Sequence, residues 1–354
     1  MAADLTLLCL PGDGIGPEIT RATARVVQSA CAKSGMTVAL PEAEIGFAAL
    51  DAQGTTIPDT VIDAARKADG VILGPVSHNA YPPVAEGGLN PSGMLRKELE
   101  LYANIRPALS HKAVPTPTGH KVDMVVVREN LEGFYADRNM HQGPGEFSPV
   151  PGLAIAIRRI TEANSRAIAR AGLRIAQDRP AKRVAVIHKA NVLRLSDGMF
   201  LDAVRDEARA YPDLEIEEIL VDAAAALMVR DPSRFDVVIA TNMYGDILSD
   251  LASELAGGLG LAASLNHGDA HAVAQAQHGS APDIAGQDIA NPASLIGSAA
   301  MLLRHLNDSE AAARIDAALS LALESADTRT RDLGGRLGTR AFADHLCTLI
   351  EQDD

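Results

Sequence analysis

Short aliphatic runs alternate with longer helix-patterned stretches along this chain, and that alternation restricts the fold more than any other feature. The runs Leu5–Leu10, Gly70–Leu73, Val122–Val127, Arg183–His188, Glu215–Val221 and Phe235–Ala240 predict strands. Pro17–Lys33, Ile160–Gln177, Asp197–Ala210, Asp246–Ala256 and Pro292–Leu306 predict helices. Such an alternation predicts an α/β fold with a largely parallel sheet. Aromatic residues make up only 3% of the 354 positions and Trp is absent. Ala, Val, Leu and Ile must therefore fill the core, as they do in sheets covered by helices. The Gly- and Pro-rich stretch from His141 to Gly152 predicts either an excursion from the main sheet or an ordinary surface loop.

A formal charge of −14 argues against a polyanionic partner, so no nucleic-acid binding is expected. Cys9, Cys31 and Cys347 are scattered without metal-binding spacing, which suits thiols kept reduced. The segment Met1–Asp4 has no basic residue, and no apolar run approaches the roughly 18 residues needed to cross a bilayer. These features predict a cytoplasmic protein without a membrane partner.

Reactive side chains gather just after four of the strand-like runs. Arg128, Glu129 and Asn130 follow Val127; His188, Lys189 and Asn191 follow Ile187; Asp222 follows Val221; Asn242, Tyr244 and Asp246 follow Ala240. Ligands in open α/β sheets bind outside the carboxyl ends of strands, so the four sets suggest one rim. Asp246 and Asp250 are spaced i, i+4 at the start of a helix-like stretch, which puts both carboxylates on one face. The pair suits either a hard divalent cation or the positive end of the helix dipole. Arg96, Arg106 and Arg128 could clamp substrate carboxylates, or Arg96 could belong to a solvated charged face. The turn Pro11-Gly12-Asp13-Gly14-Ile15-Gly16-Pro17 departs from the dinucleotide fingerprint, because its third glycine comes two residues early. The loop from His278 to Asn291 could wrap an adenosine, with Asp283 accepting ribose hydroxyls, or could be a plain connection.

Taken together, PGDGIGPE, LYANIRP, VVREN, HKANV, NMYGDILSD and HGSAPDIAGQDIANP resemble the isocitrate/isopropylmalate dehydrogenase family, in order, from Leu10 to about Leu303. The resemblance implies a two-lobed α/β fold that is not a Rossmann fold. Its large cofactor-binding lobe would comprise residues 1–101 and 257–354. The small lobe, 102–256, would carry the dimer interface and a clasping arm near 136–158. The resemblance also implies a homodimer, NAD and Mg²⁺ or Mn²⁺ as cofactors, and a small hydroxy acid as substrate. Arg96, Arg106 and Arg128 match the arginines that hold substrate carboxylates. Tyr135 matches the proton donor, and Lys189, reaching in from the partner, matches the base. Asp222, also from the partner, joins Asp246 and Asp250 as the metal ligands. Ile15, His278, Gly279, Ser280, Ala281, Asp283, Ile284 and Asn291 match cofactor-binding positions. NADP-preferring relatives carry Lys-Tyr where this chain has Asp283-Ile284, which implies NAD.

In this family the residues before Arg96 shape the side-arm pocket. Asn90 and Ser92 occupy the places of the isocitrate-type Ser and Asn in swapped order. An isopropyl group would leave such polar groups unpaired, at roughly 1–3 kcal/mol each. Isocitrate or homoisocitrate is therefore expected, with isopropylmalate or tartrate as alternatives, the first if Leu89 or Met94 restores an apolar wall. Leu131 departs from the Thr or Ser usual in the R-E-N-x-E motif. A catalytically silent regulatory subunit would lack one of the catalytic or metal-binding positions, and all are present. A metal-dependent hydrolase would have no use for the Asp283 loop.

Overall fold

The computed structural model describes residues 3–135 and 145–353. Its strands, in chain order, are β1 (Leu5–Leu10), β2 (Val38–Ala39), β3 (Gly70–Leu73), β4 (Ala103–Leu109), β5 (Asp123–Glu129), β6 (Glu146–Val150), β7 (Leu153–Ala156), β8 (Arg183–His188), β9 (Glu215–Leu220), β10 (Val237–Ala240), β11 (Leu265–His267) and β12 (Ala272–Gln275). The helices are α1 (Gly16–Lys33), α2 (Phe47–Gln53), α3 (Asp59–Lys67), α4 (Pro91–Glu98), α5 (Glu162–Asp178), α6 (Ser196–Ala208), α7 (Val221–Arg230), α8 (Asn242–Ala256), α9 (Ala293–His305), α10 (Ser309–Ala322) and α11 (Thr339–Gln352). Ten of the strands form one sheet, ordered β2-β1-β3-β12-β11-β4-β5-β10-β8-β9.

The two flanks of this sheet are parallel, as expected, but its centre is not. β12 pairs with β11, β11 with β4, and β4 with β5, all antiparallel. The flanks consequently run in opposite directions, and their carboxyl ends lie on opposite edges. Apolar faces explain the layers. On one flank, α1, α9, α10 and α11 bury Ile19, Leu302, Ile315 and Phe342 against β1 and β12. The other face of that flank packs Leu8, Leu73 and Val71 on Ile62, Leu95 and Leu99. On the second flank, α5 and α6 cover one side and α7 and α8 the other.

Three sequence-based expectations need correction here. Arg128 and Glu129 lie inside β5 rather than after it. α8 begins at Asn242, four residues before the expected start, so Asp246 sits in its second turn and does not cap it. β4, β11 and β12 were not expected as strands. Of the Gly/Pro-rich excursion and the expected arm, residues 136–144 lie outside the described residues. The remainder forms the separate hairpin β6–β7, which exposes Phe147, Val150, Leu153 and Ile155. No helix among the described residues is long and apolar enough to cross a membrane.

The glycine-rich turn after β1 is built for close approach. A Cβ on Gly74 would lie 2.0 Å from the Pro11 carbonyl oxygen, and one on Gly14 (φ +57°) 2.0 Å from that of Ser280. Backbone must move to admit either, which overpacking data put at about 1–3 kcal/mol. Gly74→Ala is expected to lose stability in that range in urea unfolding. An unchanged midpoint would show that the turn accommodates the methyl group freely.

Candidate active site

Residues directly opposite one another in an antiparallel pair share a sheet face. Asn104 lies opposite Arg128 on β5 and Asn266 on β11, while Arg106 is two residues further along β4. Ser264 and Gln275 meet at the next step, where the Gln275 N–H donates to the Ser264 carbonyl. The centre of the sheet thus carries a polar patch on one face. Asn104 Nδ2 donates to Asn266 Oδ1 at 2.9 Å, and Asn130 Nδ2 to the same oxygen at 3.0 Å. Arg106 Nε donates in turn to Asn104 Oδ1.

A cavity of about 260 Å³ opens over this patch. It is lined by Asn90, Ser92 and Arg96 around α4, by Arg106 and Arg128 on the sheet, and by Tyr135 and Asp246. Gly245 lets α8 lie directly on β5, since a Cβ there would be 2.7 Å from Arg128 Cβ. A larger groove of about 380 Å³ beside Arg183 and Asp236 holds an Arg234–Glu217 ion pair and no comparable set of reactive groups.

The electrostatics of the cavity centre on two buried guanidiniums. Arg128 donates to Asn242 Oδ1 through Nε (3.0 Å) and Nη2 (2.7 Å), and ion-pairs with Asp246. Arg106 donates to Ser249 Oγ at 2.7 Å and reaches Asp250 Oδ1 at 3.2 Å and Asp246 Oδ1 at 3.3 Å. Burial, and then the charge of Arg128, push Arg106 down to about 10. Burial alone would raise Asp246, but Arg128 and Arg106 outweigh it and hold the carboxyl below its usual range. Asp250 is raised, by burial first and then by Asp246, against the pull of Arg106. The Tyr135 hydroxyl donates to Asp246 Oδ2 at 3.1 Å, and the Arg128 guanidinium lies 5.7 Å from its ring centroid.

Around the side-arm wall, Asn90 caps α4 by accepting the Gly93 N–H at 3.1 Å, which leaves its amide N–H groups as donors. The Ser92 hydroxyl is committed to Gln275 Oε1 at 3.1 Å. Leu89 and Met94 pack against the neighbouring core and do not line the cavity. At the mouth, Gln277 Nε2 and His278 Nε2 are buried without partners among the described residues. Burial lowers the His278 pKa. Unmatched polar atoms in a cavity wall are a ligand signal.

The expected cofactor positions are brought together in part. The Ile15 N–H donates to the Ser280 carbonyl at 2.8 Å, so the glycine turn and the 278–286 loop form one wall. Ile15 itself is core-packed, and Ser280 Oγ faces Ser77 Oγ at 2.7 Å. Gly279 lines the cavity and Ala281 adopts φ +38°. Asp283 is exposed on a short 3₁₀ turn with Ile284. Asn291 has both polar ends engaged, donating to Asp332 at 2.9 Å and accepting the Ala293 N–H at 2.9 Å.

Lys189 and Asp222 are brought to each other, with Nζ 2.5 Å from Oδ1, but not to the cavity. Lys189 holds the Asp222 carboxyl below its usual range. Lys189 follows β8, and Asp222, in the first turn of α7 rather than at a strand end, follows β9; these strands lie two and three places beyond β5, roughly 10–14 Å at ordinary strand spacing. Among the described residues, no three acidic, His or Cys side chains gather as a metal cluster.

A family model described as isocitrate/isopropylmalate dehydrogenase matches residues 6–346. The chain belongs to the isocitrate/isopropylmalate dehydrogenase family. It is 42% identical over 346 residues to an isocitrate/homoisocitrate dehydrogenase of Thermus thermophilus, covering 97% of this chain and 98% of the relative. It is 37% identical to a 3-isopropylmalate dehydrogenase of Archaeoglobus fulgidus, covering 98% and 99%. The crystal structure of isocitrate dehydrogenase from Methylococcus capsulatus superposes with a TM-score of 0.89 at 38% identity, covering 98% of this chain and all of that one. The protein is thus an oxidoreductase with the isocitrate/isopropylmalate dehydrogenase fold.

Sequence reasoning missed the amide floor of this dehydrogenase's cavity: Asn104, Asn266, Gln275 and Gln277. Polar residues at alternate positions in Asn104-Ile105-Arg106 and Gln275-Ala276-Gln277 were the available signal. It also missed Asp13, whose carboxylate accepts the N–H groups of Phe47 and Ser77 at 2.8 Å each and the Tyr81 hydroxyl.

Glu129, beside Arg128, is buried and pushed up to about 7 by that burial, against hydrogen bonds from the Leu131 and Glu132 N–H groups at 2.7 and 2.9 Å. An unfolded Glu titrates near 4.3. Between those values the folded chain binds the extra proton, so this group costs stability as pH rises through that window. Glu129→Gln should therefore gain on the natural chain when urea unfolding is moved from pH 5 to pH 8. A constant difference between the two would remove Glu129 from the pH dependence.

Proposed function

We propose that this family member oxidises and decarboxylates a 3-substituted malate with NAD and Mg²⁺ or Mn²⁺, preferring isocitrate or homoisocitrate. The observation that carries the reading is the convergence of Arg96, Arg106 and Arg128 on one cavity with Asp246 and Tyr135. Three guanidiniums against Asp246 and Asp250 leave one net positive charge. A tricarboxylate together with a divalent cation brings that balance to zero. The polar side-arm wall, with Leu89 and Met94 turned away, favours a carboxylate-bearing arm over an isopropyl group. The Thermus relative, an isocitrate/homoisocitrate dehydrogenase, points the same way.

The residues fit both absent groups. Asp246 and Asp250 offer oxygen ligands one turn apart on α8, suited to a hard cation. Asp222 of a second copy would add the third carboxylate, since within one chain it is held by Lys189. Bound there, the cation would supply Lewis acidity beside the reacting carbon. The exposed Asp283 carboxylate would accept ribose hydroxyls and repel a 2′-phosphate, and the unmatched Gln277 and His278 nitrogens suit a polar ligand at the cavity mouth. The dinucleotide would supply the hydride acceptor.

In this reading the three arginines pin the substrate carboxylates as bidentate forks. Lys189 of the second copy takes the hydroxyl proton, and Tyr135, oriented by Asp246, protonates the carbon from which CO₂ departs. We also read the chain as two lobes, residues 1–101 with 257–354 and residues 102–256. The exposed apolar hairpin β6–β7 would be the part of the arm through which a homodimer forms.

The test is NADH formation with isocitrate, homoisocitrate, isopropylmalate and tartrate, each with NAD or NADP, and with Mn²⁺ present or chelated. We expect turnover of isocitrate or homoisocitrate with NAD, loss on chelation, and a fall of a hundredfold or more in Asp246→Asn. Better rates with isopropylmalate would overturn the substrate, and equal rates with NADP the role of Asp283. Undiminished activity after chelation would overturn the metal site.

A further inference from the structure

One buried ion pair lies outside the cavity and yet joins three of the elements that serve it. Asp197, wholly inaccessible at the start of α6, accepts the Lys189 N–H on Oδ2 at 2.5 Å. Its other oxygen lies 2.7 Å from Arg158 Nη1, whose side chain is 9% exposed. The same guanidinium donates to Ser196 Oγ at 2.6 Å and to Thr241 Oγ1 at 3.2 Å, and lies 5.6 Å from the Tyr244 ring centroid. Arg158 lies two residues beyond the exposed hairpin β6–β7, and Thr241 immediately precedes α8. Lys189 is held at its carbonyl as well, which accepts the N–H groups of Val192 and Leu193 at 2.9 and 2.8 Å. Its backbone is clamped on both sides while its ammonium reaches outward to Asp222.

Two desolvated charges are a poor way to stabilise a fold, because apolar residues of similar volume do as well or better. What this pair does supply is fixed geometry between the turn bearing Lys189, the root of the hairpin, and the helix bearing Asp246 and Asp250. We propose that Arg158 and Asp197 are positioning residues that set the Lys189 backbone relative to α8 and tie it to the hairpin. They touch neither substrate nor cofactor. This rests on the reading of Lys189 as the base.

The experiment compares Asp197→Asn, Arg158→Lys and Lys189→Met in the full chain, with isocitrate or homoisocitrate, whichever turns over faster, and with NAD and Mn²⁺. Asn keeps an acceptor for the Lys189 N–H but abolishes the ion pair. Lys at 158 keeps the charge but cannot reach Ser196 and Thr241 together. Expected are a fall in kcat of tenfold or more for Asp197→Asn and a smaller fall for Arg158→Lys. KM for both substrates should stay within about twofold. The primary deuterium isotope effect on the hydroxyl-bearing carbon should rise, because chemistry becomes slower relative to binding and release. A purely structural role would lower the melting temperature and leave kcat and the isotope effect of the folded enzyme unchanged; that result overturns the proposal. Should Asp197→Asn not fold, the charge-conserving Arg158→Lys decides. If Lys189→Met retains full turnover, the reading of Lys189 as base has failed. If it is inactive while both other variants match the natural chain, only the positioning role has failed.

Discussion

The interaction on which the site depends is the packing of two guanidiniums, Arg106 and Arg128, side by side on a buried sheet face. Like charges in a poorly solvated place repel, and the lowered pKa of Arg106 is the signature. They are tolerated because the groups around them are arranged to match. Asp246 and Asp250 come down from α8, Asn242 takes two N–H groups of Arg128, and Asn104 and Ser249 take those of Arg106. α8 can deliver its carboxylates only because Gly245 lets the helix rest on the Arg128 stem. A small residue in the helix and a charged residue in the strand are thus one structural decision.

The amide belt beneath follows from the same constraint. A charged patch on an open sheet face would leave the neighbouring strands with buried polar edges, and each unmatched group costs about 1–3 kcal/mol. Asn104 on β4 and Asn130 just after β5 both donate to Asn266 on β11, which donates in turn to Gln275 on β12. The antiparallel centre is what makes this possible, since directly opposed side chains share a face and stand within reach.

That centre is also where the sequence was least legible. β1, β3, β8 and β10 are predominantly apolar runs and could be read directly, because strands covered by helices on both faces need apolar residues nearly throughout. β4 carries Asn104, Arg106 and Pro107, and β11 and β12 are three and four residues long, so neither run length nor hydrophobicity marks them. Of the site, Arg96, Arg106, Arg128, Tyr135 and Asp246 line one cavity. What individual motifs could not convey is that Arg128 belongs inside a strand, that Asn291 is spent on Asp332, or that Asn90 and Ser92 differ in what they can offer. Asn90 retains donors, whereas the Ser92 hydroxyl is tied to Gln275. Such distinctions depend on partners distant in sequence.

The separation of Lys189 and Asp222 from the cavity has its own logic. Within a single chain, a lysine in the cavity would add a fourth cation to three guanidiniums and raise their mutual repulsion. On β8, two strands from β5, it instead neutralises Asp222, so each chain carries a charge-balanced pair at its surface and an electropositive cavity in its interior. In the proposed homodimer, two copies joined through the hairpin bring the balanced pair of one against the cavity of the other. Neither the pair nor the cavity would then need to be assembled, with its opposing charges, during the folding of a single chain. The clamp on the Lys189 backbone by Asp197 suits the proposed division, because a group proposed to act across an interface gains nothing from its own flexible stem and has to be aimed from its root.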